Sequence, residues 1–292
     1  MAYIQLKINM VADHVQALGD MLTGNGAQAV TYVDAKDTPL FEMHPGEELL
    51  WPDTQVIGLF SASDDMQAII DRLAKSKLLQ DEFVYVLDPL EDKDWEREWM
   101  DNFHAMQFGT RLWVCPSWRE IPEPEAVNVM LDPGLAFGTG THATTALCLR
   151  WLDSLDLNNK RVVDFGCGSG ILGIAALKLG ATDLLALDID PQALVTTTEN
   201  AERNNVVERL RVTLPQDKPE YEADIVLANI LAAPLRELHE VISSYCLSGG
   251  KIILSGILIE QAQAIADLYT ADFTIDAIVE DGDWASISGT KR

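Results

Sequence analysis

The sequence predicts an α/β protein in which a doubly wound, mostly parallel sheet follows a small α+β domain. Three features of the 292 residues predict it. From about residue 127 apolar strands alternate with loops and helices, as in a parallel sheet covered on both faces. The first 90 residues run in shorter units, and a charged stretch at 91–103 separates the two patterns. The expected organisation is therefore a domain over 1–90, a linker helix and connecting segment over 91–126, and a second domain over 127–292.

In the first domain, residues 3–9 alternate as a strand, and 11–22 carry helical periodicity ended by Gly24 and Gly26. Residues 29–34 and 54–60 read as strands, 66–75 as a helix and 83–87 as a last strand. The order βαββαβ is the ferredoxin-like arrangement, a scaffold that by itself carries no chemistry. In the charged stretch EDKDWEREWMDNF, Trp95 and Trp99 lie four apart on one helical face, which suits docking onto a neighbouring surface.

In the second domain, strands are expected at 161–165, 184–188, 224–228 and 251–255. Helices are expected at 142–154, 170–179, 191–204, 233–245 and 259–269. Residues 274–279 and 284–290, around Asp281 and Gly282, read as a hairpin, so one late strand should run antiparallel to the others.

Composition narrows the function. Twenty-one basic residues against 46 acidic ones give a net charge of −25, which opposes binding to a phosphate backbone and permits attraction of a basic protein. The four cysteines form no CxxC pair, so neither a metal site nor a disulfide framework is expected, and reduced thiols suit the cytoplasm. The opening MAYIQLKINM alternates like a strand, and no run of about 18 apolar residues occurs; neither export nor membrane spanning is expected.

The chemistry is concentrated in RVVDFGCGSGILGIAALKLGA, where an apolar strand reaches Asp164, a turn passes through Gly166, Gly168 and Gly170, and a helix begins. A ligand can approach backbone closely only where Cβ atoms are absent. A nicotinamide or flavin turn would place its third glycine where Ile171 stands, and a pyrophosphate would be repelled by the carboxylate of Asp164. S-adenosylmethionine has no phosphate and carries a cationic amino group and a sulfonium, so it suits this turn. Asp188 ends the next strand, where a carboxylate can accept both ribose hydroxyls, and Asp190, followed by Pro191, is placed to cap the next helix.

Together DFGCGSGILGIAALKLGA, the acid of ALDIDP, the upstream loop LDPGLAFGTGTHATT and the segment ANILAAPL resemble the ribosomal protein L-eleven methyltransferases (PrmA family). The resemblance spans nearly the whole chain. It implies a class I methyltransferase fold, S-adenosylmethionine as methyl donor, and methylation of lysine side chains and the N-terminal amine of a large-subunit ribosomal protein. It further implies that the N-terminal domain recognises that protein and that the linker presents the catalytic domain to different amines. Carried over residue by residue, it implies cofactor contact at Thr145, Gly166, Asp188 and Asn229.

In the upstream loop, Phe137 and Thr141 are further expected contacts, as are Asp164 and Gly168 in the turn, whereas His142 reads as a helix-entry residue. Asn229 stands at the carboxyl edge of the strand 224–228, where the side chain and nearby carbonyls could position an amine. Other amine methyltransferases carry N-P-P-[YF] there; this chain has Asn229, Ile230, Leu231 and Ala232, and so lacks the aromatic wall. No general base is expected. A small-molecule methyltransferase would leave the first domain without a task, and a non-catalytic S-adenosylmethionine-binding module is the remaining alternative.

Overall fold

The computed structural model describes residues 3–36, 51–79, 83–90, 103–132, 142–217 and 220–292. The chain divides into two compact units, Met1–Met100 and Asp101–Arg292.

The first unit contains β1 (Tyr3–Val11), α1 (Ala12–Gly24), β2 (Ala29–Asp34), β3 (Asp53–Ser61), α2 (Met66–Leu73) and β4 (Tyr85–Leu90). Its sheet runs β2-β3-β1-β4 with every pairing antiparallel, so β3 lies between β1 and β2. This is the expected βαββαβ arrangement. Strict alternation on β3 buries Thr54, Val56 and Phe60. Val56 and Phe60 join Leu6 and Ile8 of β1 beneath Val15, Leu18 and Leu22 of α1 and Ile69 and Leu73 of α2. Asp65 caps α2 by accepting from the Ala68 N–H at 3.1 Å.

The second unit opens with β5 (Met106–Phe108), β6 (Leu112–Cys115) and β7 (Val127–Met130), which form a small separate sheet. These strands were not expected. Phe108, Leu112 and Val114 share a buried cluster with the helices that follow, so the packed unit reaches well upstream of residue 127. The hairpin is held by Asp153, whose carboxylate accepts from the Thr110 and Arg111 backbone N–H groups at 2.6 and 3.1 Å. The tryptophans Trp95 and Trp99 lie outside the described residues.

Next come α3 (Ala143–Asp153), β8 (Arg161–Phe165), α4 (Ile171–Lys178), β9 (Asp183–Leu187), α5 (Pro191–Arg203), β10 (Leu210–Thr213) and β11 (Ala223–Asn229). The unit ends with α6 (Ala232–Glu237), α7 (His239–Ser244), β12 (Cys246–Leu258), α8 (Ile259–Tyr269), β13 (Phe273–Asp281) and β14 (Trp284–Lys291). The seven-stranded sheet runs β10-β9-β8-β11-β12-β14-β13. Strands β8 to β12 are parallel, and β14 is antiparallel to both its neighbours, as the hairpin reading required.

Alternate residues explain why helices cover both faces. Val162, Leu184, Ala186, Ile225 and Leu227 pack under α3, α4 and α5, whereas Val163, Leu185, Leu187, Val226 and Ala228 pack under α6, α7 and α8. The helix expected over 233–245 is broken at Leu238. The Tyr269 hydroxyl donates to the Leu235 carbonyl at 3.1 Å, occupying the acceptor that a continuing helix would use. No helix among the described residues is long and apolar enough to cross a membrane.

Candidate active site

Beyond β8 the chain turns through Gly166, Gly168 and Gly170 at φ 78°, 55° and 78°, conformations that a side chain would strain. The turn is pinned sideways to β9. The N–H groups of Gly166 and Cys167 donate to the Leu187 carbonyl at 2.8 and 3.0 Å, and that of Gly168 donates to Asp188 Oδ2 at 2.9 Å. It is also held by buried polar residues of α5. Thr197 Oγ1 donates to the Gly168 carbonyl at 3.1 Å and Asn200 Nδ2 to the Ser169 carbonyl at 2.9 Å. One turn on, Asn204 brackets Met130 of β7, donating to its carbonyl at 2.8 Å and accepting from its N–H at 2.7 Å. Sequence reasoning missed these three residues; their signal was a polar stripe at helical spacing on the face of α5 turned toward the sheet.

The two acidic residues flanking the turn lie in different surroundings. Asp164 is 1% exposed and accepts from the Gly173 N–H of α4 at 2.9 Å. Burial pushes its carboxyl up to about 7, a rise opposed by the Gly173 hydrogen bond and reinforced by Asp188. Asp188 is half-buried; its Oδ2 accepts from Gly168 and its Oδ1 from the Asp190 N–H at 3.0 Å. Each oxygen keeps a second lone pair, so two backbone donors fix the carboxylate while leaving it capacity for two more hydrogen bonds. Asp190 caps α5, accepting from the Gln192 N–H at 2.9 Å ahead of Pro191. Ile189, between the two acids, is 84% exposed. Its signal in the sequence was an apolar side chain at a strand end where only loop residues were needed.

Asn229 ends β11 at the same edge, and its Nδ2 lies 3.4 Å from Oγ1 of Thr145, buried in the first turn of α3. His142 caps that helix, with Nδ1 3.4 Å from the Thr144 N–H and its ring edge-on to Trp284 at 4.8 Å, which is the helix-entry role. The space into which a Cβ of Gly166 would project is filled by the Ile230 side chain. The fold thus brings Thr145, Gly166, Gly168, Asp188 and Asn229 to one carboxyl edge of the sheet, with Asp164 beneath them. Phe137 and Thr141 lie outside the described residues.

Comparison with known proteins identifies the family. Residues 2–292 match the family described as ribosomal protein L11 methyltransferase (PrmA). Curated proteins named ribosomal protein L11 methyltransferase from Alteromonas mediterranea and Pseudoalteromonas atlantica are 64% and 63% identical over 292 residues, covering all of both chains. The crystal structure of ribosomal protein L11 methylase from Lactobacillus delbrueckii subsp. bulgaricus is 32% identical, with a TM-score of 0.60, and covers 65% of this chain and 100% of that one. A family match over nearly the whole length, together with relatives this similar end to end, places the chain: it belongs to the ribosomal protein L11 methyltransferase (PrmA) family.

Proposed function

We propose that this chain transfers methyl groups from S-adenosylmethionine to lysine and N-terminal amines of the ribosomal protein for which its family is named, in the cytoplasm. The observation that carries the reading is the convergence of a glycine turn at positive φ, a carboxylate with spare acceptor capacity and an amide acceptor on one sheet edge. Bound there, S-adenosylmethionine would supply a methyl group on a sulfonium leaving group. In this reading the lone pairs left on Asp188 take the two ribose hydroxyls, the exposed Ile189 lies against the flat base, and the turn at Gly166 and Gly168 lets the backbone approach the nucleoside. Asp164 supports the turn through Gly173, and Thr145 holds Asn229.

The carbonyl groups of Asn229 and Ile230 accept from the amine and aim its lone pair at the methyl carbon. A lysine with a reference pKa of about 10.4 must first become neutral, which desolvation favours, so positioning and exclusion of water suffice without a dedicated base. The net charge of −25 favours a basic protein substrate over a nucleic acid. Recognition of that protein falls to the separate Met1–Met100 unit.

Incubation with labelled S-adenosylmethionine and ribosomal proteins from a strain lacking the enzyme tests the reading. Label in the single ribosomal protein is expected; label only in small molecules, or none, would overturn it in favour of the two alternatives. Removing the first unit should leave cofactor affinity within about twofold while transfer to the protein falls about 100-fold through lost positioning. Undiminished transfer would show that recognition lies elsewhere.

A further inference from the structure

We propose that Gly256 is a positioning residue for the methyl-accepting amine, acting through a bulge in β12 that sets the direction of the Ile230 carbonyl; this rests on Asn229 and Ile230 being the amine acceptors. On one side β12 runs in parallel register with β11 as far as Asn229 opposite Ser255. On the other side it pairs with β14 at Leu254 opposite Ile287 and again at Ile257 opposite Ala285. Two residues of β12, Ser255 and Gly256, therefore face the single residue Ser286, which is a β-bulge located where β11 delivers Asn229.

Both bulge residues touch the candidate site. Ser255 is fully buried, with its hydroxyl 3.2 Å from the Thr144 carbonyl and 3.3 Å from that of Ala285. It thereby ties the start of α3 to the bulge, one residue before the Thr145 that meets Asn229. Gly256 adopts φ 80° and lies against the Ile230 backbone. A Cβ there would collide with the Ile230 carbonyl oxygen and come within 2.8 Å of its carbon. On its other side, Ile230 fills the room above Gly166. Ile230 is thus gripped between two left-handed glycines, one on the turn assigned to the nucleoside and one on the bulge. A spacer held at both ends fixes the amine acceptors relative to the cofactor turn, and transfer needs that alignment because about 1 Å of misplacement can cost 100-fold in rate.

The same strand supplies a control matched for backbone strain. Gly249, also in β12, has φ 77° with open space where its Cβ would point. The test is steady-state methyl transfer by the full-length protein to the purified ribosomal protein, with calorimetric cofactor affinity, for Gly256→Ala, Gly249→Ala, Ser255→Ala and Asn229→Ala. Gly256→Ala is expected to lower kcat about 30- to 100-fold while KM and the cofactor Kd stay within about twofold. Gly249→Ala should leave kcat unchanged.

Ser255→Ala adds no bulk and remains informative if Gly256→Ala fails to fold; it should lower kcat about fivefold at unchanged cofactor Kd. If Asn229→Ala lowers kcat but Gly256→Ala behaves like Gly249→Ala, or if the loss in Gly256→Ala is matched by an equal loss of cofactor affinity, the positioning role falls. If Gly256→Ala does not fold and Ser255→Ala keeps full kcat, it falls as well. If Asn229→Ala itself keeps full kcat, the assignment of the amine acceptors fails first.

Discussion

At the amino ends of the parallel strands, charged groups satisfy one another. Asp224 accepts from the Arg161 N–H at 2.9 Å and from the Lys160 ammonium at 3.2 Å. Desolvation opposes its ionisation, but those two partners outweigh it and hold the carboxyl below the usual range. Tyr221 donates to Asp183 at 2.9 Å, and the guanidinium groups of Arg161 and Arg211 each lie 5.8 Å from its ring. At the carboxyl ends, Asp188 is fixed by two neutral backbone donors, and among the described residues no cation pairs with it. Aspartates stand at both edges. An edge whose charges are consumed by neighbours is structural, and an edge whose acceptors are held in place yet unsaturated is available to a ligand.

The most severe way to break this contrast is Gly166→Arg. The structure directs a side chain at this position into Ile230, so the substitution both strains a positive-φ turn and displaces Ile230. Calorimetry should detect no S-adenosylmethionine binding, while circular dichroism still reports an α/β fold. Wild-type affinity would remove the turn from the site.

Asp164 sharpens the contrast, because it sits at the carboxyl edge but is buried like a core group. Its carboxyl rises from 3.8 to about 7 in the folded protein, so the native state holds a proton that the unfolded chain has lost. The associated stability is fully present below about pH 3.8 and disappears as pH rises toward 7, a change of up to about 4 kcal/mol. Asp164→Asn has no such titration and still offers an oxygen to the Gly173 N–H. Urea unfolding of both proteins from pH 4.5 to 8 should therefore show the variant gaining on wild type until about pH 7 and running parallel above it. Parallel curves throughout would mean that the carboxyl is ionised in the fold.

The smallest expected effect belongs to the amino edge. Asp224→Ala should cost about 1 kcal/mol of stability, since its ion pair is partly solvent-accessible, and leave S-adenosylmethionine affinity unchanged. A loss of affinity would mean that the two edges are not independent.

Much of this arrangement was legible in the sequence. Val162 and Val163 before Asp164, and Leu184, Leu185, Ala186 and Leu187 before Asp188, marked β8 and β9, because strands buried on both faces are rich in apolar residues. The glycines could be recognised because positive φ leaves few alternatives. What stayed hidden depends on partners distant in sequence. The strands β5 and β6 are three and four residues long, too short for periodicity to register. The break at Leu238 needs Tyr269, the bulge at Ser255 needs β14, and the burial of Asp164 comes from packing that no local pattern contains, whereas the Asp190 N–H that fixes Asp188 lies only two residues away.

The central claim is that Asp188 serves a ligand while charged groups at the opposite edge serve the fold. Calorimetric titration of S-adenosylmethionine into Asp188→Ala, beside wild type and Asp224→Ala, tests it most directly. The account predicts that Asp188→Ala weakens binding by about 1.5–3 kcal/mol, roughly 10- to 150-fold, at an unchanged unfolding midpoint, while Asp224→Ala binds as wild type does. Wild-type affinity in Asp188→Ala, or a loss explained wholly by unfolding, would contradict it and make Asp188 a structural clamp on the turn.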